Sequence, residues 1–304
     1  MNTKCGVAPI RWCDMAELQR ASGGIPTGPS AQIAAAEWTR VRFAQFGVPF
    51  PAGNRLQRAK ALLEEVNARG FVLTPEDDGL LDRVTEAQWT IIEQYIVARS
   101  LGRPGRALSP LMRCKLEEML SGADAPEADR NPLARNTQFE LYVGASFTMG
   151  GIPVSLGDPD LVFDYLGTPC GLAAKRVRSF RQAPRRADEA ADQLGAAGLR
   201  GVVAVNVDVL LKITQGLPGP EATLAERLQV VEQLESQMAE RAEVVGTMTF
   251  GRDCMWDFGG ERPSAAISHS LRFTVHPRTQ ADETTGREFF DRLMARIDAR
   301  MQTL

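Results

Sequence analysis

Lysine and histidine are scarce in this chain: five lysines (Lys4, Lys60, Lys115, Lys175 and Lys212) and two histidines (His269 and His276) in 304 residues. Two histidines leave no basis for a His-rich metal centre and weigh against a Ser-His-Asp nucleophile. The five cysteines, Cys5, Cys13, Cys114, Cys170 and Cys254, include no CxxC pair, and with His269 and His276 they do not match zinc-finger spacing. An odd number of cysteines in a chain of this size implies a reducing compartment, so cytoplasmic localisation is the expectation. No run approaches 18 apolar residues and no basic-then-apolar leader opens the chain, so neither a membrane span nor a signal peptide is expected. The net charge is -3. Any nucleic-acid surface must therefore be a local patch.

What is present is ordinary for a packed protein: 44% hydrophobic and 24% charged residues. The segment GGIPTGP lacks the Lys-Ser/Thr of a phosphate loop, and residues 1–30 read as an irregular leader. Helical periodicity dominates up to about residue 121, with helices expected over 31–46, 55–69, 85–101 and 109–120. Ser109 and Pro110 suit the cap and first turn of the last of these. SGADAPEADRNP, residues 121–132, reads as a linker. The domain organisation expected is a helical N-terminal region, 1–125, followed by an α/β domain, 126–304.

The pattern changes after the linker. A helix is expected over 132–149, then strands over 152–156, 160–166 and 171–177, a helix over 185–197, and a buried strand over 201–209. That last strand, GVVAVNVDV, is almost continuously apolar. The order is α-β-β-β-α-β. Further on, a charged helix is expected over 222–243, strands over 244–250 and 268–275 with a loop between, and a final helix over 285–301.

The chemistry-bearing residues cluster on this middle part. A tight hairpin through Gly167-Thr168 places Asp160 opposite Lys175, to within a residue or two. Asp164 shares its face but lies about 13 Å along the strand, too far to share an ion. Glu140, flanked by Phe139 and Leu141 on the preceding helix, is placed to face Asp160. Two carboxylates about 5 Å apart repel by roughly 3 kcal/mol at an effective dielectric near 20, which calls for a cation or a shared proton. Mg²⁺, a hard ion that keeps waters and takes phosphate oxygens, suits such a pair. The plain alternatives stand beside each: a turn-capping Asp160, a solvated Lys175, an exposed Glu140. Lys175, Arg176, Arg178, Arg181, Arg185 and Arg186 form the one dense basic stretch, with no acid among them. It is read either as a phosphate-backbone grip or as a solvated face.

Pro159-Asp160, the hairpin and Ala173-Ala174-Lys175 resemble the core of the PD-(D/E)xK nuclease superfamily, over about 75 residues, roughly a quarter of the chain. The resemblance implies a restriction-endonuclease-like α-β-β-β-α-β fold and metal-dependent phosphodiester hydrolysis, with DNA expected ahead of RNA. It implies Asp160 and Glu140 as ligands of Mg²⁺ (or Mn²⁺), Lys175 as the catalytic lysine and Gln193 in support. It further suggests a bacterial defence or DNA-processing role. The segment from Arg135-Asn136 through Phe139-Glu140 resembles the helix that supplies an extra glutamate in many members. The family expects an acid at position 173, where this chain has Ala173. The alternative is therefore a catalytically silent member that binds nucleic acid or a protein partner. A homodimer or protein contact through the helical region is also open.

Overall fold

The computed structural model describes residues 28–70, 78–102, 107–124, 132–165, 167–177, 182–208, 221–257 and 264–276, with scattered positions between 284 and 296. The expected leader and the greater part of the expected linker lie outside these residues.

Among the described residues five helices precede the sheet, the first four being α1 (Pro29–Gln45), α2 (Arg55–Ala68), α3 (Asp78–Ser100) and α4 (Pro110–Met119). Their starts have identifiable causes. The Asn54 side chain accepts the Gln57 N–H at 3.1 Å. Ser109 does the same for Met112, with Pro110 in the first turn. Helix α3 begins well before residue 85, a correction to the expected start. Phe43, Leu56, Leu63, Ile91, Leu116 and Met119 meet in one apolar core. That core also takes in Leu141, Ala145 and Met149 of α5 (Leu133–Met149). The helical region is thus seated on α5, whose opposite stripe, Phe139, Val143 and Phe147, packs on the sheet.

The sheet has six strands in sequential order: β1 (Val154–Leu156), β2 (Leu161–Tyr165), β3 (Thr168–Arg176), β4 (Gly201–Asn206), β5 (Val244–Asp257) and β6 (Ser264–Val275). Strands β1, β2 and β3 form an antiparallel meander, β3, β4 and β5 run parallel, and β6 returns antiparallel. The chain is therefore α/β with an open mixed sheet. Helix α6 (Ala183–Ala196) makes the crossover from β3 to β4, and α7 (Glu221–Ala239) the one from β4 to β5. Both cover the face opposite α5: Ala187, Ala190, Leu194, Leu234 and Met238 pack with Ala173, Val203 and Val205. The uniformly buried β4 explains the unbroken valine-rich run. The loop expected over 250–263 is mostly strand, because β5 and β6 pair as far as Asp257↔Ser264.

The parallel pairing of β3 and β4 begins at Gly171↔Gly201. A Cβ on Gly201 would sit 1.9 Å from the Gly171 carbonyl oxygen. Gly201→Ala is expected to lower the unfolding free energy by about 3 kcal/mol or more, since the collision is with backbone that cannot step aside. Chemical denaturation checks this, and a loss below about 1 kcal/mol would contradict the close approach.

Candidate functional site

Strand β2 starts directly after Pro159-Asp160, and its ladder with β3 runs from Leu161↔Leu172 to Tyr165↔Thr168. Continued by one step, this register sets Asp160 level with Ala173, two residues short of the Lys175 expected from turn length. The carboxylate makes up the difference. Its Oδ2 accepts the Ala174 N–H at 2.7 Å and the Lys175 ammonium at 3.3 Å. It thereby occupies a backbone donor just past the end of the β2 ladder. Both side chains keep some exposure, 15% for Lys175 and 20% for Asp160, so solvent reaches the pair. Asp164 belongs elsewhere: its Oδ1 accepts the Gly167 N–H and closes the hairpin turn.

Glu140 approaches from α5, near enough for its carboxyl to feel the charges of Asp160 and Lys175. Gly144, one turn further along, lies so close to the sheet that a Cβ there would meet Leu161 Cδ2 at 3.2 Å and Val154 Cγ2 at 3.4 Å. Glu140 shares that stripe, which runs over β1 and β2 towards Asp160. It is buried, and its Oε2 accepts the Lys115 ammonium at 2.5 Å. Its Oε1 is buried with no hydrogen-bond partner. Burial pushes the Glu140 carboxyl up to about 7; the Lys115 hydrogen bond and charge pull it down, Asp160 pushes it further up and Lys175 pulls it down. Glu140, Asp160 and Lys175 therefore share one electrostatic neighbourhood.

This shift has a sign. A carboxyl whose folded pKa is raised favours the fold at low pH, and that contribution is lost as pH rises through the folded value. Protein freed of cations by chelation is expected to lose stability between about pH 5 and pH 8, by up to about 3 kcal/mol from this group. Denaturant midpoints across that range check it. Glu140→Gln is expected to remove the slope, and an equal slope in the variant would contradict the assignment.

Ala173, the position where the family pattern has an acid, is fully buried among Val203, Ala187 and Leu194 under α6. The donors on offer to a cation are thus Glu140 and Asp160, and no group of three or more metal-ligating side chains lies together among the described residues. The Gln193 Oε1 is buried without a partner, and no hydrogen bond joins Gln193 to Asp160 or Lys175.

Among the described residues, the members of the basic run lie in different surroundings. Arg185 and Arg186 lie on α6, each ion-paired with Glu189, at 3.3 and 2.7 Å. Arg178 and Arg181 lie outside the described residues. Arg176 alternates with Lys175 along β3 and turns inward, away from the surface patch read from the sequence. It lines a cavity bounded also by Arg55, Glu93, Arg135, Asn206 and Arg252.

That interior cluster was not anticipated from the sequence. Glu86 on α3 pairs with Arg55 at 3.1 Å, with Arg135, and with Arg252 at 3.5 Å. Arg252 is also held by Asp208 at 2.5 Å and Glu93 at 3.5 Å, and stacks over Trp89. A sequence signal existed: Glu86, Thr90 and Glu93 fall on neighbouring turns of the apolar Trp89 helix, where solvated residues do not belong.

No helix among the described residues is long and apolar enough to cross a membrane. No protein-family model, curated protein or solved structure compared with the chain matches it.

Proposed function

We propose that the chain is a metal-dependent nuclease hydrolysing phosphodiester bonds, with DNA as the substrate ahead of RNA. The observation that carries this reading is the Asp160 carboxylate tied to the Ala174 N–H and the Lys175 ammonium, with its charge felt by Glu140, whose buried Oε1 has no hydrogen-bond partner. In keeping with it, α5-β1-β2-β3-α6-β4 follows the α-β-β-β-α-β order of a restriction-endonuclease-like core.

The residues fit a hard divalent cation. Glu140 and Asp160 offer carboxylate oxygens, and a buried carboxylate oxygen without a donor is the kind of atom such an ion satisfies. Mg²⁺ or Mn²⁺ held there would polarise a phosphoryl oxygen and acidify a bound water. The chain's own groups do the rest. Lys175, fixed by Asp160, presents an ammonium to the charge that develops on the phosphate. Asp160 keeps that ammonium in place, and the Ala174 N–H keeps Asp160 in place. Lys115 holds Glu140 on the side away from its unpartnered oxygen. A cytoplasmic protein of bacterial defence or DNA processing, able to dimerise or to bind a partner through its helical region, accords with this reading.

Burial of Ala173 favours a second reading, a silent member of the same fold that binds nucleic acid without cutting it. Labelled single- and double-stranded DNA incubated with Mg²⁺ or Mn²⁺ separates the two. Cleavage that requires metal and disappears in Lys175→Ala and Glu140→Ala supports the nuclease. Salt-sensitive binding without cleavage supports the second reading, because phosphate contacts release counterions.

A further inference from the structure

We propose that the cavity enclosed by Arg55, Arg135, Arg176 and Arg252 is a binding site for one phosphoryl group, separate from the Glu140–Asp160–Lys175 site. The cavity is polar and partly open, with room for about one water molecule. It sits beyond the carboxyl ends of the parallel strands, where Arg176 of β3 and Asn206 of β4 are in register. The crevice at that end of an open α/β sheet is where ligands bind.

The charges at the site do not balance. Four arginines meet three carboxylates, Glu86, Glu93 and Asp208. Arg55, Arg135 and Arg252 pair with all three carboxylates, although Asp208 Oδ1 stays buried without a hydrogen-bond partner. Arg176 forms no ion pair with any described residue, although its side chain lines the same cavity. Arg55 is 1% exposed, and its Nε has no hydrogen-bond partner. Burial and the neighbouring arginines weaken the hold of Arg55 and Arg176 on their protons, lowering them to about 9 and about 10. An excess, half-buried cation beside the unmatched buried Nε–H of Arg55 is a site for a compact anion. Guanidinium donors in a fork geometry match phosphoryl oxygens better than a halide. One phosphoryl oxygen fills the water-sized space, and the others stay at the mouth. Gln138 and Phe139 of α5, the two residues before Glu140, also line the cavity. A phosphoryl group bound here would use no residue of the carboxylate site.

The test is titration of the full chain with inorganic phosphate, read by calorimetry and by thermal shift against sodium chloride at matched ionic strength. Wild type is expected to bind phosphate and gain stability beyond the chloride control. Arg176→Gln is expected to bind at least tenfold more weakly while remaining as stable as wild type without phosphate, because it breaks no ion pair. Arg176→Lys is expected to retain part of the affinity. Oligonucleotides with a 5′-phosphate or a 5′-hydroxyl identify the source of the group. Competition by the 5′-phosphate alone points to a nucleic-acid end, and competition by neither points to free phosphate. Asp160→Asn is expected to leave phosphate affinity unchanged, which separates this site from the proposed nuclease centre. Equal responses to phosphate and chloride, or an unchanged affinity in Arg176→Gln, would overturn the proposal.

Discussion

Glu86→Gln is expected to destabilise the protein by about 3–5 kcal/mol, the usual cost of removing one partner from a buried charge cluster. The carboxylate of Glu86 touches Arg55 and Arg135, both buried, and Arg252, whose side chain is 9% exposed. Burial by itself works to raise its pKa, yet Arg252, Arg135 and Arg55 together hold it at about 2. A depressed carboxyl stabilises the fold above its unfolded pKa, and that contribution is lost as pH falls through the folded value. Wild type is therefore expected to lose stability in acid between about pH 4.5 and pH 2 through this group. Glu86→Gln lacks that component and starts from a lower plateau. Urea denaturation at pH 7 and along that acid limb measures both. A change below about 1 kcal/mol at pH 7 would show that Glu86 does not bind the helical region to the sheet as described. The consequence reaches beyond stability, because Arg55 belongs to α2, Arg135 to α5 and Arg252 to β5. One carboxylate on α3 ties all three together.

Lys175→Ala is expected to reduce metal-dependent cleavage by about 10²–10³-fold, in the range of losing one donor to a developing negative charge. The fold is expected to survive. The ion pair with Asp160 is partly exposed, and exposed pairs contribute about 0–1 kcal/mol. Asp160 keeps its bond from the Ala174 N–H in the variant. A rate loss with an unchanged denaturation midpoint is therefore the signature. Single-turnover cleavage of labelled DNA, paired with urea denaturation of the same samples, reads it. A loss under threefold, or a loss that merely follows unfolding, would contradict the role given to Lys175.

Much of the sheet was legible because its periods are strong. The valine-rich β4 and the hairpin around Gly167 each reflect a local rule. The register was off by two residues because the ladder closes at Tyr165↔Thr168, one position earlier on each strand than a turn through Gly167-Thr168 requires. The length of β5 and β6 was not legible either. Residues 251–257 and 264–267 show no sustained alternation of apolar and polar side chains, and it is pairing with each other that makes them strand.

At the candidate site, Asp160, Lys175 and Glu140 could be named because each lies at an element end or within an apolar flank. The inward turn of Arg176 follows from strand alternation, since Lys175 beside it faces Asp160. Treating 175–186 as one basic patch hid that. The arginine cluster stayed hidden because its members come from α2, α5, β3 and β5, distant in sequence and joined only by folding. The burial of Ala173 under α6 likewise depends on which helix crosses that strand.

Binding of Mn²⁺, followed by electron paramagnetic resonance on wild type, Glu140→Gln and Asp160→Asn, tests most directly whether Glu140 and Asp160 hold one divalent cation. The account predicts bound Mn²⁺ in wild type, displaced by Mg²⁺ and weakened at least tenfold by either substitution. Wild type that binds no Mn²⁺, or variants that bind it as tightly as wild type, would contradict it.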